Sequence, residues 1–162
     1  MVQTMFTLRR FDSSDLEKVM HINRVCLPEN YTSLFFLDLH KRFPEMFLVA
    51  ERNKDVAGYV MCRIETGLLG FGICIRKKGH VISIAVLPEH QRQGIGQALM
   101  QETMRSMLGY NAKECFLEVR ASNEPAVRLY KKMEFEIRRT LRAYYSDGED
   151  AYLMARKLPF KP

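Results

Sequence analysis

Two glycines raise the first chemical question. In Gln91-Arg92-Gln93-Gly94-Ile95-Gly96 they fall where a β-branched run, His80-Val81-Ile82-Ser83-Ile84-Ala85-Val86, gives way to a helical pattern. The first N–H groups of a helix have no intrahelical partner, and with the helix dipole they form a site for a phosphate. Gly94 and Gly96 remove side chains where such a group must approach the backbone closely, and Gln91 and Arg92 can close over its outside. The pattern is not the Walker type, because no Lys-Ser/Thr pair follows the glycines. It is not the dinucleotide fingerprint either, because the third glycine is absent. Close packing of a helix start is the plain alternative for two such glycines.

The titratable residues pose a second question. His80 opens the β-branched run, and Glu118 lies in a second strand-like stretch, Cys115 to Arg120, with Phe116 and Arg120 on its face. A water held between His80 and Glu118 would relay a proton from a nucleophile. The alternative is a hydrogen-bonded histidine at a strand end and a Glu118–Arg120 pair. One His and one Glu make a weak cation site, so no required metal is expected. Tyr130 follows Asn123 by seven residues, about two helical turns, so the two share a face with Ala126 and Leu129. Its hydroxyl can act as an acid or be satisfied within a core. Glu29, Tyr31 and Tyr145 sit in loop-like stretches, where spacing alone favours a solvated carboxylate and edge-packed rings.

These residues need elements to hold them. Residues 5 to 10 read as a strand, Ser14-Asp15-Leu16-Glu17 as a capping box opening a helix with Leu16, Val19, Met20 and Asn23 on one face, and Leu27-Pro28 as its end. A second helix is expected over 33 to 42. Met46 to Glu51 and Val56 to Ile64 then form a hairpin around Arg52-Asn53-Lys54-Asp55. After the His80–Val86 strand, a helix from near Gly94 presents Ile95, Ala98, Leu99, Met104, Met107 and Leu108 and stops by Gly109. Cys115 to Arg120 is a strand, and Ser122 or Asn123 caps a helix with Pro125 in its first turn. Phe135 to Tyr144 and Ala151 to Leu158 close the pattern as a hairpin about Asp147-Gly148. The fold class is α/β: a mixed, mostly antiparallel sheet of about seven strands flanked by about four helices, with a central β-α-β unit.

Bulk properties bound the rest. The 162 residues, 47% of them hydrophobic, suit one compact domain over 1–162. No apolar run approaches the roughly 20 residues that span a bilayer, and Met1-Val2-Gln3-Thr4 does not resemble a signal peptide, so the expectation is cytoplasmic. Cys26, Cys62, Cys74 and Cys115 form no CxxC pair and read as reduced, mostly buried thiols. The net charge of +6 would attract a nucleic acid, the ribosome surface or an anionic cofactor, but its basic residues are scattered apart from Arg76-Lys77-Lys78 and Arg138-Arg139, and no nucleic-acid motif is found, so no DNA partner is expected.

Gln/Arg-x-x-Gly-x-Gly/Ala after an Ile-Ala-Val strand resembles motif A of the GNAT acetyltransferase superfamily, and Asn123-Glu124-Pro125-Ala126-Val127-Arg128-Leu129-Tyr130 with Phe135 resembles its second element. The resemblance spans roughly residues 6 to 158. It implies acetyl-CoA as cosubstrate, with the pantetheine arm on the amides of Ile84, Ala85 and Val86 and against Asn123. Pyrophosphate would lie on Arg92, Gln93, Gly94, Ile95, Gly96 and Gln97. The Ile84 N–H would stabilise the oxyanion, and the Tyr130 hydroxyl would lie near the cofactor sulfur. Leu27 to Tyr31, Gly79 to Val86 and Tyr144 to Tyr152 look like protein N-terminal acetyltransferases, closest to the archaeal enzymes and the catalytic subunit of the NatA complex. That resemblance implies polypeptide N-termini as substrate, nascent chains at the ribosome included, in a tunnel bounded by Glu29, Tyr31 and Tyr145. Oligomeric state is left open.

Overall fold

The computed structural model describes residues 5–68 and 75–159. Among these, the chain runs β1 (Thr7–Arg10), α1 (Leu16–Cys26), α2 (Ser33–Arg42), β2 (Phe47–Arg52), β3 (Asp55–Leu68), β4 (Ile75–Val86) and α3 (Ile95–Gly109). It continues through β5 (Glu114–Arg120), α4 (Glu124–Lys132), β6 (Glu136–Leu141) and β7 (Ala151–Lys157). The strands form one seven-stranded sheet in the order β1-β2-β3-β4-β5-β7-β6. Pairing is antiparallel for β1 with β2, β2 with β3, β5 with β7, and β6 with β7. β4 and β5 are parallel, paired from Lys78–Glu114 to His80–Phe116. Parallel neighbours need a crossover, and α3 supplies it. The α/β architecture expected from the alternating patterns is therefore the one formed.

The chain divides into two compact units, Met1–Arg63 with Ile82–Ser106, and Ile64–Val81 with Met107–Pro162. The first is built on an aromatic core: Phe11 stacks on Phe47 at 4.0 Å, and Val19, Ile22, Phe36, Leu39, Val49, Tyr59 and Met61 close around them. α1 starts differently from the sequence pattern. The capping box is formed by Asp12 and Asp15, not Ser14 and Glu17, and opens a short 3-10 turn, Ser13–Asp15, ahead of α1. Arg9 explains the choice, because its guanidinium bonds both Asp15 oxygens at 2.7 and 2.9 Å and holds that carboxyl below the usual range. The β2–β3 turn is tighter than the four polar residues imply: Arg52 pairs with Asp55, leaving Asn53 and Lys54 at φ 50° and 64°, the two left-handed positions of a type I′ hairpin.

The second unit takes its order from β5. Cys115, Leu117 and Val119 are buried, while Glu114, Phe116, Glu118 and Arg120 alternate on the other, more open face. Asn123 caps α4, which buries Val127 and Tyr130. β6 is shorter than expected and ends at Leu141. Asp150 binds Arg142 and the Ala143 N–H, and Arg120 draws in Asp147 and Glu149, so Tyr144 and Tyr145 lie in a loop instead of a strand. Leu108, expected on the apolar side of α3, is 40% exposed. Cys26, Cys62 and Cys115 are free thiols, and complete burial pushes Cys62 up to about 12. Cys74 lies outside the described residues. Among the described residues no helix is long and apolar enough to cross a membrane.

Candidate active site

The glycine turn forms as its composition demands. Arg92 at φ 62° and Gly94 at φ 83° both adopt left-handed backbone, which is ordinary for glycine but costs a branched-off side chain about 1–3 kcal/mol. The first bond closing α3 runs from Ala98 N–H to the Gly94 carbonyl at 3.0 Å, so helix geometry leaves the amides of Ile95, Gly96 and Gln97 outside the ladder. Side chains brace the turn from behind. Gln91 donates to the Val86 carbonyl at 2.9 Å, Gln93 to the Glu89 carbonyl at 3.3 Å, and Arg52 to the Gln93 side-chain oxygen. A cradle of aimed N–H groups with a partial positive charge results.

The strand feeding this turn is pinned along its length. Cys26 donates its thiol to the Val86 carbonyl, and Leu87 N–H bonds the Ala57 carbonyl at 2.9 Å. Gly58 is required here, since a Cβ would stand 2.8 Å from the Ala85 carbonyl oxygen and 3.1 Å from Val86 Cγ2.

The loop between α1 and α2 is held by a residue that sequence periodicity placed only on an apolar face. Asn23 is 1% exposed. Its amide donates to the Glu29 carbonyl at 3.1 Å and to the Tyr59 hydroxyl at 3.0 Å, while its oxygen accepts from Tyr31 N–H at 3.4 Å. Tyr59 lies 2.7 Å from the Ser83 hydroxyl, and Tyr31 donates to the Ile82 carbonyl at 3.4 Å while its ring stacks on Phe35. Tyr31 is thereby fixed against the residues of β4 that precede Ile84.

In the second unit His80 and Glu118 meet, with Nε2 and Oε2 2.6 Å apart. Their Glu118–Arg120 alternative does not form, because Arg120 is engaged by Asp147 and Glu149 and lies 4.0 Å from the Tyr145 ring centroid. A third residue joins them that the sequence reading missed: Glu65 of β3 places Oε1 2.8 Å from His80 Nδ1. Phe116 stacks on the imidazole at 4.2 Å. Burial opposes a charged ring, but the hydrogen bonds and negative charges of Glu118 and then Glu65 outweigh it, and His80 is raised above the usual histidine value. When the ring is an imidazolium it has no lone pair to offer, and the groups in this cluster able to accept a proton are then the carboxylates. The two glutamates occupy opposite edges of the ring, and among the described residues no three His, Cys, Asp or Glu converge as metal ligands.

Tyr130 is 6% exposed, with its ring 5.9 Å from Phe135. The Asn123 oxygen accepts from Ala126 N–H at 3.3 Å, which directs its amide away from the helix. Tyr145 is set by backbone bonds, N–H to the Glu149 carbonyl and carbonyl from Gly148 N–H, and its ring meets Tyr144 edge-on.

Comparison with known proteins gives this geometry a family. Residues 16–135 match the Acetyltransferase (GNAT) family model. An N-alpha-acetyltransferase of Sulfurisphaera tokodaii is 48% identical over 156 residues, which cover 94% of this chain and 93% of that protein. The crystal structure of Ard1 from Thermoplasma volcanium superposes with a TM-score of 0.81 at 34% identity, covering 94% of this chain and 97% of that one. Naa50 of Arabidopsis thaliana, in complex with the bisubstrate analogue CoA-Ac-MVNAL, gives 0.80 at 25% identity, with 93% and 97% covered. The family model spans most of the chain and the relatives match over nearly their whole length: the chain belongs to the GNAT acetyltransferase family.

Proposed function

We propose that the protein transfers an acetyl group from acetyl-CoA to the free α-amino group of polypeptide N-termini by direct attack in a ternary complex. The observation that carries this reading is the Glu118–His80 pair in a chain nearly half identical to an N-alpha-acetyltransferase. An α-amino group has a pKa of about 7.7 to 8.0, so a carboxylate acting through water suffices to hold it as the free amine.

In this mechanism the amides of Ile95, Gly96 and Gln97, with Arg92, Gln93 and Gly94, hold the pyrophosphate. Ile84, Ala85 and Val86 offer their amides to the pantetheine arm, and Asn123 turns its free amide toward it. Glu118 takes the proton, while His80 donates Nε2–H to Glu118 and orients it. Ile84 N–H stabilises the tetrahedral oxyanion, a donor worth roughly 3 kcal/mol. Tyr130 protonates the departing thiolate. Glu29, Tyr31 and Tyr145 receive the first residues of the substrate, nascent chains in the cytoplasm included.

The reading extends to sequence preference. Glu29 fits small first residues such as Ser, Ala and Thr, and Glu118 broadens acceptance to Met-starting ends. Peptides differing only in their first two residues, assayed with acetyl-CoA, test this. Equal rates across the panel, acidic and bulky starts included, would remove Glu29, Tyr31 and Tyr145 as selecting residues.

A further inference from the structure

The imidazole of His80 is held from both sides, and the second holder has no role in the mechanism above. Glu65 Oε1 meets Nδ1 at 2.8 Å, opposite the 2.6 Å contact of Nε2 with Glu118. A neutral imidazole carries one N–H, so it can satisfy only one carboxylate, whereas an imidazolium donates to both at once. With Glu118 alone the ring could flip or change tautomer and still make one good bond. With Glu65 in place only one arrangement satisfies every atom: ring charged, Nδ1–H to Glu65, Nε2–H to Glu118.

Glu65 is also the member of the trio that reaches water. Its side chain is 35% exposed, against 11% for His80 and 17% for Glu118. It lines an open cavity of about 420 Å³ with Lys78, Glu114, Phe116 and Arg138. Near this face Lys78 of β4 meets Glu114 of β5 at 3.4 Å, Arg138 of β6 meets Glu136 at 3.7 Å, and Arg120 of β5 holds Asp147 and Glu149. β7 contributes the uncharged Leu153 and Ala155 to the cavity wall. Glu65 is thus the carboxylate set against Nδ1.

We propose that Glu65 is a positioning residue for the acetyl-transfer reaction, acting through His80: it holds Nδ1–H so that the ring stays charged and keeps Glu118 oriented for the substrate amine. This rests on the function proposed above, but its first test does not.

The test uses Glu65→Gln, whose amide keeps the shape and can pair with either form of Nδ1 while no longer requiring the charged ring, and Glu65→Asp, which keeps the charge at shorter reach. In the free protein, NMR titration of the His80 ring is expected to show a lower midpoint in the Gln variant than in the parent, with the Asp variant between. An unchanged midpoint overturns the proposal. In the acetylation assay, the ratio of kcat/KM between Glu65→Gln and parent is expected near one below about pH 6, where the ring is charged in both, and to fall roughly tenfold above pH 8. The substrate amine titrates identically in both proteins and cancels. A ratio equally low at every pH marks a merely structural role and also overturns the proposal. If the parent acetylates no α-amine, the function proposed above fails, and the titration alone decides whether Glu65 sets the state of His80.

Discussion

At the scale of single residues, Tyr130 and His80 can each be tested alone. Tyr130 is buried beside Phe135, a place where an ordinary core aromatic would look the same. Replacement by Phe separates the two. As the acid for the thiolate, Tyr130→Phe lowers kcat by about 10²-fold or more while acetyl-CoA affinity changes little, as expected of an interaction that strengthens mainly in the transition state. Steady-state kinetics with a short peptide check this, and unchanged turnover would remove Tyr130 from the mechanism. His80 makes a prediction independent of activity. Its pKa is raised in the folded protein above the unfolded value near 6.5, so folding is favoured by protonation. The stability it adds is complete below about pH 6.5 and is lost as pH rises through the raised value. Thermal unfolding of the parent and of His80→Gln between pH 6 and 9 is therefore expected to show a gap in Tm that narrows as pH rises; a gap that widens contradicts the charged ring.

Elements decide where these groups point, and here the sequence was legible unevenly. The glycine turn could be read in advance because helix N-termini and left-handed backbone restrict residue types, and Gly94 at φ 83° obeys that restriction. No side chain would clash there, since nothing lies within 4 Å of an added Cβ. Gly94→Ala is expected to cost only about 1 kcal/mol of stability yet to weaken acetyl-CoA binding strongly, measurable by calorimetry. Gly58→Ala should cost more stability, about 1–3 kcal/mol, because its Cβ would press on the Ala85 carbonyl and on Val86. Asn23 and Glu65 were not legible. Asn23 reads as one more position on a helix face, and its worth comes from three partners outside its own helix. Asn23→Leu deletes three hydrogen bonds, at about 2–3 kcal/mol in all. It should raise the peptide KM, since the Glu29–Tyr31 loop loses its anchor, while acetyl-CoA affinity is kept. Glu65 follows the alternation of β3, but only pairing across strands brings it to His80. Capping failed for a related reason: Arg9, a strand residue, decides which aspartate opens α1.

For the molecule as a whole, strand and helix order, the parallel β4-α3-β5 unit and the family were all present in local pattern, because hydrophobic period and turn chemistry act over a few residues. What local pattern could not supply is the state of the site. Whether Glu118 pairs with His80 or Arg120 depends on the final hairpin loop, where Asp147 and Glu149 take Arg120 and leave Glu118 to His80. Acetyl transfer to an α-amine is the activity these parts combine to perform. Its most direct test offers the protein acetyl-CoA and two peptides of one sequence containing an internal lysine, one with a free N-terminus and one blocked. Intact mass and fragmentation locate the product. The account predicts one acetyl group, on the α-nitrogen of the free peptide alone; acetylation of the lysine in the blocked peptide at a comparable rate would contradict it.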